Sequence, residues 1–244
     1  MTTVTFYDLA SRPSQLLLQL GAKFFNPVYP ASTELQAYQE KEKLRSLFKK
    51  GTKILFVLLT PIAAALFCWK GEIMHLWLGP GYELSARMLP ILTINYFVLA
   101  LAVIPGAMMF GLDKAWILSL ESLLRISLNF VLSFILIRRM GALGAAYGIT
   151  LASLTTTTIF FGWMARQVGI GSKELFVELF GFPLTVLLLG FLFFVGGPLL
   201  NFSSLLRFSV FTTLFLCASL FFYIGKDEVV SLLKAMLVKS EGRA

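Results

Sequence analysis

The chain has 244 residues, of which 57% are hydrophobic and only 14% charged, and its mean hydropathy is +0.81. A soluble domain carries about a quarter charged residues, so the composition excludes a soluble core and points to an all-α polytopic membrane protein. The formal net charge of +8 sits in clusters between apolar segments, which makes it a topology signal and excludes nucleic acid as its partner.

Seven apolar segments are expected, near Ser11–Ala31, Gly51–Trp69, Met88–Gly111, Ala115–Ile137, Gly141–Met164, Leu175–Leu200 and Leu205–Ile224. Most are close to the roughly 20 residues that cross a bilayer as a helix. The first carries a polar stripe: Asp8, Arg12, Gln15, Gln19, Lys23 and Asn26 follow one another at steps of four, three, four, four and three. At about 100° per residue they fall within roughly ±40° of one line along a helix. The opposite face holds Leu17, Gly21, Phe24 and Val28, with Ser14 its one polar exception. In a chain built for lipid, such a helix faces a water-filled cavity or a protein interior. Arg12 and Lys23 each lie within snorkelling distance of an interface, and Pro13 starts or kinks the helix. A polar face hydrogen-bonded to a neighbouring helix is the plainer alternative, but six aligned positions favour a solvated cavity.

The link Ser32–Lys53 holds Leu35, Tyr38, Leu44, Leu47 and Phe48 among lysines and glutamates, a composition suited to a short interfacial helix. Lys41, Lys43, Arg45, Lys49, Lys50 and Lys53 crowd this link, and Lys226, Lys234, Lys239 and Arg243 lie in the tail. The positive-inside rule places both on the cytoplasmic side, with the N-terminus outside and the C-terminus in the cytoplasm. Anionic membrane lipids are the natural neighbours of such clusters. In the link Lys70–Arg87, Gly79-Pro80-Gly81 marks a tight turn, and Trp77 and Tyr82 suit an interfacial belt.

Pro61, Pro90, Pro105 and Pro183 lie in or at the ends of segments and are expected to kink or break helices. In the fourth segment Glu121 and Arg125 stand one turn apart, with Ser122, Asn129 and Ser133 sharing much of that face. An i, i+4 carboxylate–guanidinium pair nearly neutralises itself, which lowers the cost of burying both charges. Substrate or ion coupling and helix packing are equally open as its role. In the fifth segment Gly144 with Gly148, and Gly141 with Ala145, have small-xxx-small spacing that lets helices approach closely. The run Thr155–Thr158 is expected to bond back to its own helix. After the polar stretch Arg166–Glu174, the last two segments form an appended pair. The tail Asp227–Lys239 repeats Val229, Leu233, Met236 and Leu237 on one side, as a surface-lying helix does.

Cys68 and Cys217 sit inside apolar segments and read as small buried hydrophobes, and His75 has no ligand cluster around it, so neither metal nor cofactor is expected. No phosphate-binding loop, nucleophile elbow or cysteine–histidine metal spacing is present, and carboxylates are sparse. A non-enzymatic role is therefore expected. The stripe begins within about ten residues of Met1, with no basic n-region before it, and an odd number of segments leaves the N-terminus outside. Met1 is therefore expected to be a truncated or misassigned start, and the chain a fragment.

Tyr7-Asp8-Leu9-Ala10-Ser11-Arg12, then Asn26-Pro27-Val28-Tyr29-Pro30-Ala31 and a charged link, resemble the second half of polysaccharide flippases. So do Leu76-Trp77-Leu78-Gly79-Pro80-Gly81-Tyr82, Phe110-Gly111-Leu112-Asp113-Lys114, and the stretch from Asn129 through Gly141-Ala142-Leu143-Gly144-Ala145-Ala146. These flippases belong to the multidrug/oligosaccharidyl-lipid/polysaccharide exporter superfamily. The resemblance covers about residues 5–165 and rests on the order and spacing of these motifs together. It implies a fourteen-helix, two-lobed protein of which this chain holds the equivalents of helices eight to fourteen. Residues 1–166 would be most of the C-terminal lobe, five transmembrane helices with a cytoplasmic link at 32–53. Residues 167–224 would be the appended pair, and 225–244 a cytoplasmic amphipathic tail. The missing N-terminal lobe would lie upstream or on a partner chain.

The resemblance further implies a bacterial or archaeal cytoplasmic membrane and the flipping of a polyprenyl-pyrophosphate-linked oligosaccharide for surface polysaccharide or O-antigen synthesis. Arg12 and Lys23 would attract phosphates or acidic sugars, and Gln15, Gln19 and Asn26 would bond to hydroxyls. A drug or cation exporter of the same superfamily is the alternative, although its cavity should favour acidic residues and the stripe has only Asp8. A polymerase or glycosyltransferase acting on lipid-linked sugars would need a long extracytoplasmic loop, and no outside link is long. A non-transporting remnant or helper subunit is the third alternative.

Overall fold

The polar-striped segment folds as two helices where one was expected. Helix α1 (Thr3–Ala22) contains Pro13 and ends before Lys23, and α2 (Phe25–Ala37) takes over after Phe24. The N–H groups of Lys23 and Phe24 bond back to the carbonyls of Leu20 (3.3 Å) and Gly21 (2.9 Å). These i→i−3 bonds tighten the last turn and shift the axis without a loop. The structure, a computed structural model, describes residues 3–171, all within one compact unit, Met1–Leu179. The two expected segments Leu175–Leu200 and Leu205–Ile224, with Pro183 and the tail, lie outside the described residues.

The expected interfacial helix is the start of a span. Because α2 runs on through Ala37, the link shrinks to Tyr38–Glu40, with Gln39 at φ 55°, and α3 (Lys41–Cys68) absorbs the basic cluster. Leu44 and Phe48 are buried instead of lying on a membrane surface. Phe48 meets the ring of Phe161 edge-on at 6.0 Å, and Phe56 does the same to Phe97 at 5.5 Å. Pro61 sits inside α3 without ending it.

The short α4 (Lys70–Leu78) leads into the Gly-Pro-Gly turn, where Gly79 and Gly81 take φ values of 81° and 95° that favour glycine. The long third segment divides into α5 (Glu83–Leu101) and α6 (Val103–Gly111) at Ala102. Pro105 has no N–H to offer the Leu101 carbonyl, so the helix loses a bond at that joint. Helices α7 (Trp116–Met140) and α8 (Ala142–Gln167) form a hairpin about Gly141, at φ 59°.

The core forms around α5. Met88, Leu89 and Leu92 pack with Ala10 of α1 and Ala146 of α8. Hydroxyls stitch this seam: Ser14 meets Thr93 at 3.1 Å, Ser85 donates to the Phe6 carbonyl at 2.9 Å, and Thr150 to the Ile91 carbonyl at 3.1 Å. On the other side of α8 a methyl group on Gly144 would overlap the backbone of Leu136, and one on Gly148 would overlap Ser133. The small residues thus bring α7 and α8 into backbone contact.

Four stretches among the described residues are long and apolar enough to cross a membrane: Lys41–Cys68, Glu83–Gly111, Trp116–Met140 and Ala142–Gln167. The outer face of α7 exposes Leu123, Ile126, Phe130 and Phe134, as lipid contact requires. The protein is an all-α polytopic membrane protein. Helix α1 is not among the four, which is what its polar stripe costs it in hydropathy.

Candidate functional site

The stripe keeps its phase across the break. Asp8, Arg12, Gln19, Lys23 and Asn26 are exposed and Gln15 is half-buried. On the opposite side Ser14, Leu17, Gly21 and Val28 are buried, while Phe24 is half-buried. Gly21 permits the close fit, since a Cβ there would stand 3.1 Å from the Cβ of Ala100. The polar face therefore points away from the core of the described residues, and the helix contacts that core with its small and apolar side.

The first half of the stripe is bonded within itself. Arg12 donates from Nη2 (2.9 Å) and Nε (3.2 Å) to Asp8 Oδ2, and both side chains are more than half exposed. Gln15 Nε2 donates to Ser11 Oγ at 3.1 Å, and the Ser11 hydroxyl donates to the Asp8 backbone carbonyl at 2.8 Å. An exposed pair of this kind is worth little to stability and exchanges readily.

Asn26 alone of the stripe reaches a second constellation. It lines a cavity of about 540 Å³ together with Glu121 and Arg125 of α7 and Thr157 of α8. Phe25 and Phe110 form its aromatic end, with ring centroids 5.6 Å apart. Arg125 Nη2 stands 3.8 Å from Glu121 Oε2, too far for a hydrogen bond. The other carboxylate oxygen shares the single hydroxyl proton of Thr156 with the Ala152 carbonyl, each acceptor at 3.0 Å. Both charged side chains are largely covered, Glu121 at 14% and Arg125 at 28% exposed. Farther along α7, Ser133 donates to Asn129 Oδ1 at 2.8 Å. Arg12, Gln15, Gln19 and Lys23 do not line this cavity, so the expected site residues divide into the outward-facing stripe and a cluster at an open cleft.

Glu121 also borders a second, apolar pocket of about 190 Å³ between α7 and α8, walled by Trp116, Leu120, Leu124 and Trp163. The carboxylate thus stands between two mainly apolar compartments, the larger of which holds the few polar groups Asn26, Arg125 and Thr157. The threonine run behaves as expected at three positions: Thr155, Thr156 and Thr158 donate to the carbonyls of Leu151, Ala152 and Leu154. Thr157 departs from it, because its hydroxyl is buried and makes no hydrogen bond. Nothing in the run distinguishes Thr157 from its neighbours, and only the packing of α8 against α7 and α5 places it at the cavity. Among the described residues no three His, Cys, Asp or Glu side chains converge as metal ligands.

No family model matches the chain, and no solved structure matches it. The chain is 26% identical over 147 residues to a protein named as an O-antigen transporter of Shigella flexneri, covering 59% of this chain and 34% of that relative. It is 25% identical over 179 residues to a protein named as the multidrug resistance protein NorM of Rhizobium meliloti (strain 1021), covering 70% of this chain and 38% of the relative. The matched stretches span between a third and two fifths of these curated relatives.

Proposed function

We propose that this chain, whose relatives lie in the multidrug/oligosaccharidyl-lipid/polysaccharide exporter superfamily, forms one lobe of a flippase. Its cargo is a polyprenyl-pyrophosphate-linked oligosaccharide, moved from the cytoplasmic to the outer leaflet of the cytoplasmic membrane for surface polysaccharide synthesis. The observation that supports this best is the outward-facing polar stripe of α1 and α2, with its apolar side against the core. Hydrocarbon opposes the passage of a sugar headgroup and its phosphates, whereas a hydrated wall bearing cations offers them a path.

Arg12 and Lys23 draw the anionic headgroup, while Gln15, Gln19 and Asn26 exchange hydrogen bonds with sugar hydroxyls. The lipid tail stays in the bilayer. Rocking against a second lobe, on the same polypeptide or on a partner chain, alternates access to the two leaflets. The protein works without a cofactor and performs no covalent chemistry, and its C-terminus lies in the cytoplasm.

One observation favours drug export as the second reading. Glu121 beside a pocket walled by two tryptophans is a natural seat for an amphipathic cation.

The test is complementation by the full-length protein in a strain that lacks the flippase. Surface polysaccharide should return with the wild type and fall at least tenfold with Arg12→Ala combined with Lys23→Ala, at equal membrane abundance. Undiminished polysaccharide in the double variant would remove the stripe from the transport path.

A further inference from the structure

We infer that the 540 Å³ cavity is an oxyanion-binding subsite in which Arg125 exchanges Glu121 for a phosphate-type ligand. The inference rests on the flippase reading for the identity of that ligand, a pyrophosphate, and on geometry for the site itself.

The ion pair is built to be broken. A carboxylate and a guanidinium that exist to hold each other usually close to about 2.7–2.9 Å and often bond bidentately. Here the distance is 3.8 Å, and the other carboxylate oxygen stands 3.0 Å from the Thr156 hydroxyl, whose proton it shares with the Ala152 carbonyl. Glu121 therefore orients Arg125 electrostatically across a partly desolvated gap without consuming its planar fork of donors. Arg125 is the less covered of the two and lines the cavity.

The neutral groups around it point the same way. Thr157 is 3% exposed and lines the cavity, and its hydroxyl has no partner. A buried polar atom left unpaired costs about 1–3 kcal/mol, which an arriving ligand recovers. Asn26 of α2, exposed and in the same lining, has an amide that can serve as a further donor. In an otherwise largely apolar lining of ordinary ligand-pocket volume, the cation, the amide and the hydroxyl are the few polar groups that would orient an acceptor-rich headgroup. A phosphate or pyrophosphate offers only acceptors in its ionised form.

The same carboxylate sets the strength of the site. Glu121 repels an anion held by its neighbour, so the subsite binds weakly and releases readily, as a transport step requires. It also joins the two parts of the candidate site, because Asn26 belongs to the stripe and to this cavity alike. A headgroup passing along α1 and α2 reaches Arg125 next to Asn26.

The experiment uses the full chain in an uncharged detergent, titrated with inorganic pyrophosphate. Trp116 and Trp163 line the pocket that shares Glu121, so tryptophan emission reports binding, with calorimetry as a second readout. The wild type should bind, Arg125→Gln should weaken binding at least tenfold, and Thr157→Val should weaken it several-fold. Glu121→Gln should bind several-fold more tightly, because the competing charge is gone. Arg125→Lys keeps the charge without the fork and should lie between wild type and Arg125→Gln. It decides the matter if Arg125→Gln fails to elute as a monodisperse protein.

Equal losses in Glu121→Gln and Arg125→Gln would mark a packing pair and overturn the inference, as would unchanged binding in Arg125→Gln and Arg125→Lys. Tighter binding of a quaternary ammonium dye by Arg125→Gln, and its loss in Glu121→Gln, would overturn it in favour of a cation site. Displacement of pyrophosphate by phosphatidylglycerol nanodiscs, but not by a short-chain polyprenyl pyrophosphate, keeps the oxyanion site and makes its ligand a membrane lipid. An Arg125-dependent pyrophosphate site in a protein that fails the complementation test would retain the subsite and discard the flippase reading.

Discussion

The hydroxyl of Ser14 donates to the hydroxyl oxygen of Thr93, 3.1 Å away in the buried seam between α1 and α5. The direction follows from a second bond: Thr93 has already given its one proton to the Leu89 carbonyl at 2.8 Å. This joint fixes the rotation of α1, and with it the direction in which the stripe faces.

Removing either partner should have unequal consequences. Thr93→Val leaves the buried Ser14 hydroxyl unsatisfied and should cost about 1–3 kcal/mol. Ser14→Ala removes the donor alone and should cost about 0.6–1.7 kcal/mol, the scale of interhelical hydrogen bonds in membranes. The double variant should be less destabilised than the sum of the two, as thermal melting in detergent would show. Strict additivity would mean that the two hydroxyls do not interact.

Three glycines of α8 should respond in opposite senses to the same change. Gly144→Ala and Gly148→Ala place a methyl group in the backbone of Leu136 and in Ser133, and each should destabilise by about 1–3 kcal/mol through overpacking. Gly162, in the same helix, has no atom within 4 Å of an added Cβ, so Gly162→Ala should stabilise by about 0.5–1 kcal/mol. Melting temperatures of the three variants check this directly. A melting point for Gly148→Ala at or above that of the wild type would contradict the close α7–α8 contact.

Single cysteines along α1 should map its two faces, in a background with Cys68 and Cys217 changed to serine. Gln19→Cys and Asn26→Cys should react with a membrane-impermeant maleimide, whereas Leu17→Cys should stay unlabelled until the protein is denatured. Gln19 and Asn26 are exposed and Leu17 is fully buried. Protection of all three positions in the membrane would mean that lipid or protein covers the stripe.

The facing of α1 was legible because polarity at 3.6-residue spacing reports what a helix touches, and Asp8 to Asn26 hold that spacing even across the break. The glycine pair of α8 was legible for a similar reason, since spacing alone puts Gly144 and Gly148 on one edge. The break at Lys23–Phe24 was not. It has the same cause as the Ala102 joint, since Pro27 has no N–H to offer the Lys23 carbonyl, but such a proline equally fits a helix that runs on, as α3 does through Pro61. The helical continuity of α3 was hidden by composition: the lysines before Gly51 look interfacial, yet they alternate with Leu44 and Phe48, which pack inward. The meeting of Asn26 with Glu121, Arg125 and Thr157 is a tertiary event, and no local pattern encodes it.

Lys114 at the foot of α7 donates to Gln167 at the end of α8 at 2.9 Å and lies 5.7 Å from the ring centre of Trp163. Gly141 closes the other end of the same hairpin. The exposed Lys114 bond adds little by itself, but with the backbone contact at Gly144 and Gly148 it should let α7 and α8 carry Arg125 and Thr157 together. Breathing of the cavity should then fall on the rest of its lining, at the Ala102 joint and at Phe25 and Phe110, against whose rings Tyr29 packs. Their centroids lie 5.6–6.4 Å apart. Rings can slide over one another without a hydrogen bond being broken, and that lubricated wall is the one that borders the stripe.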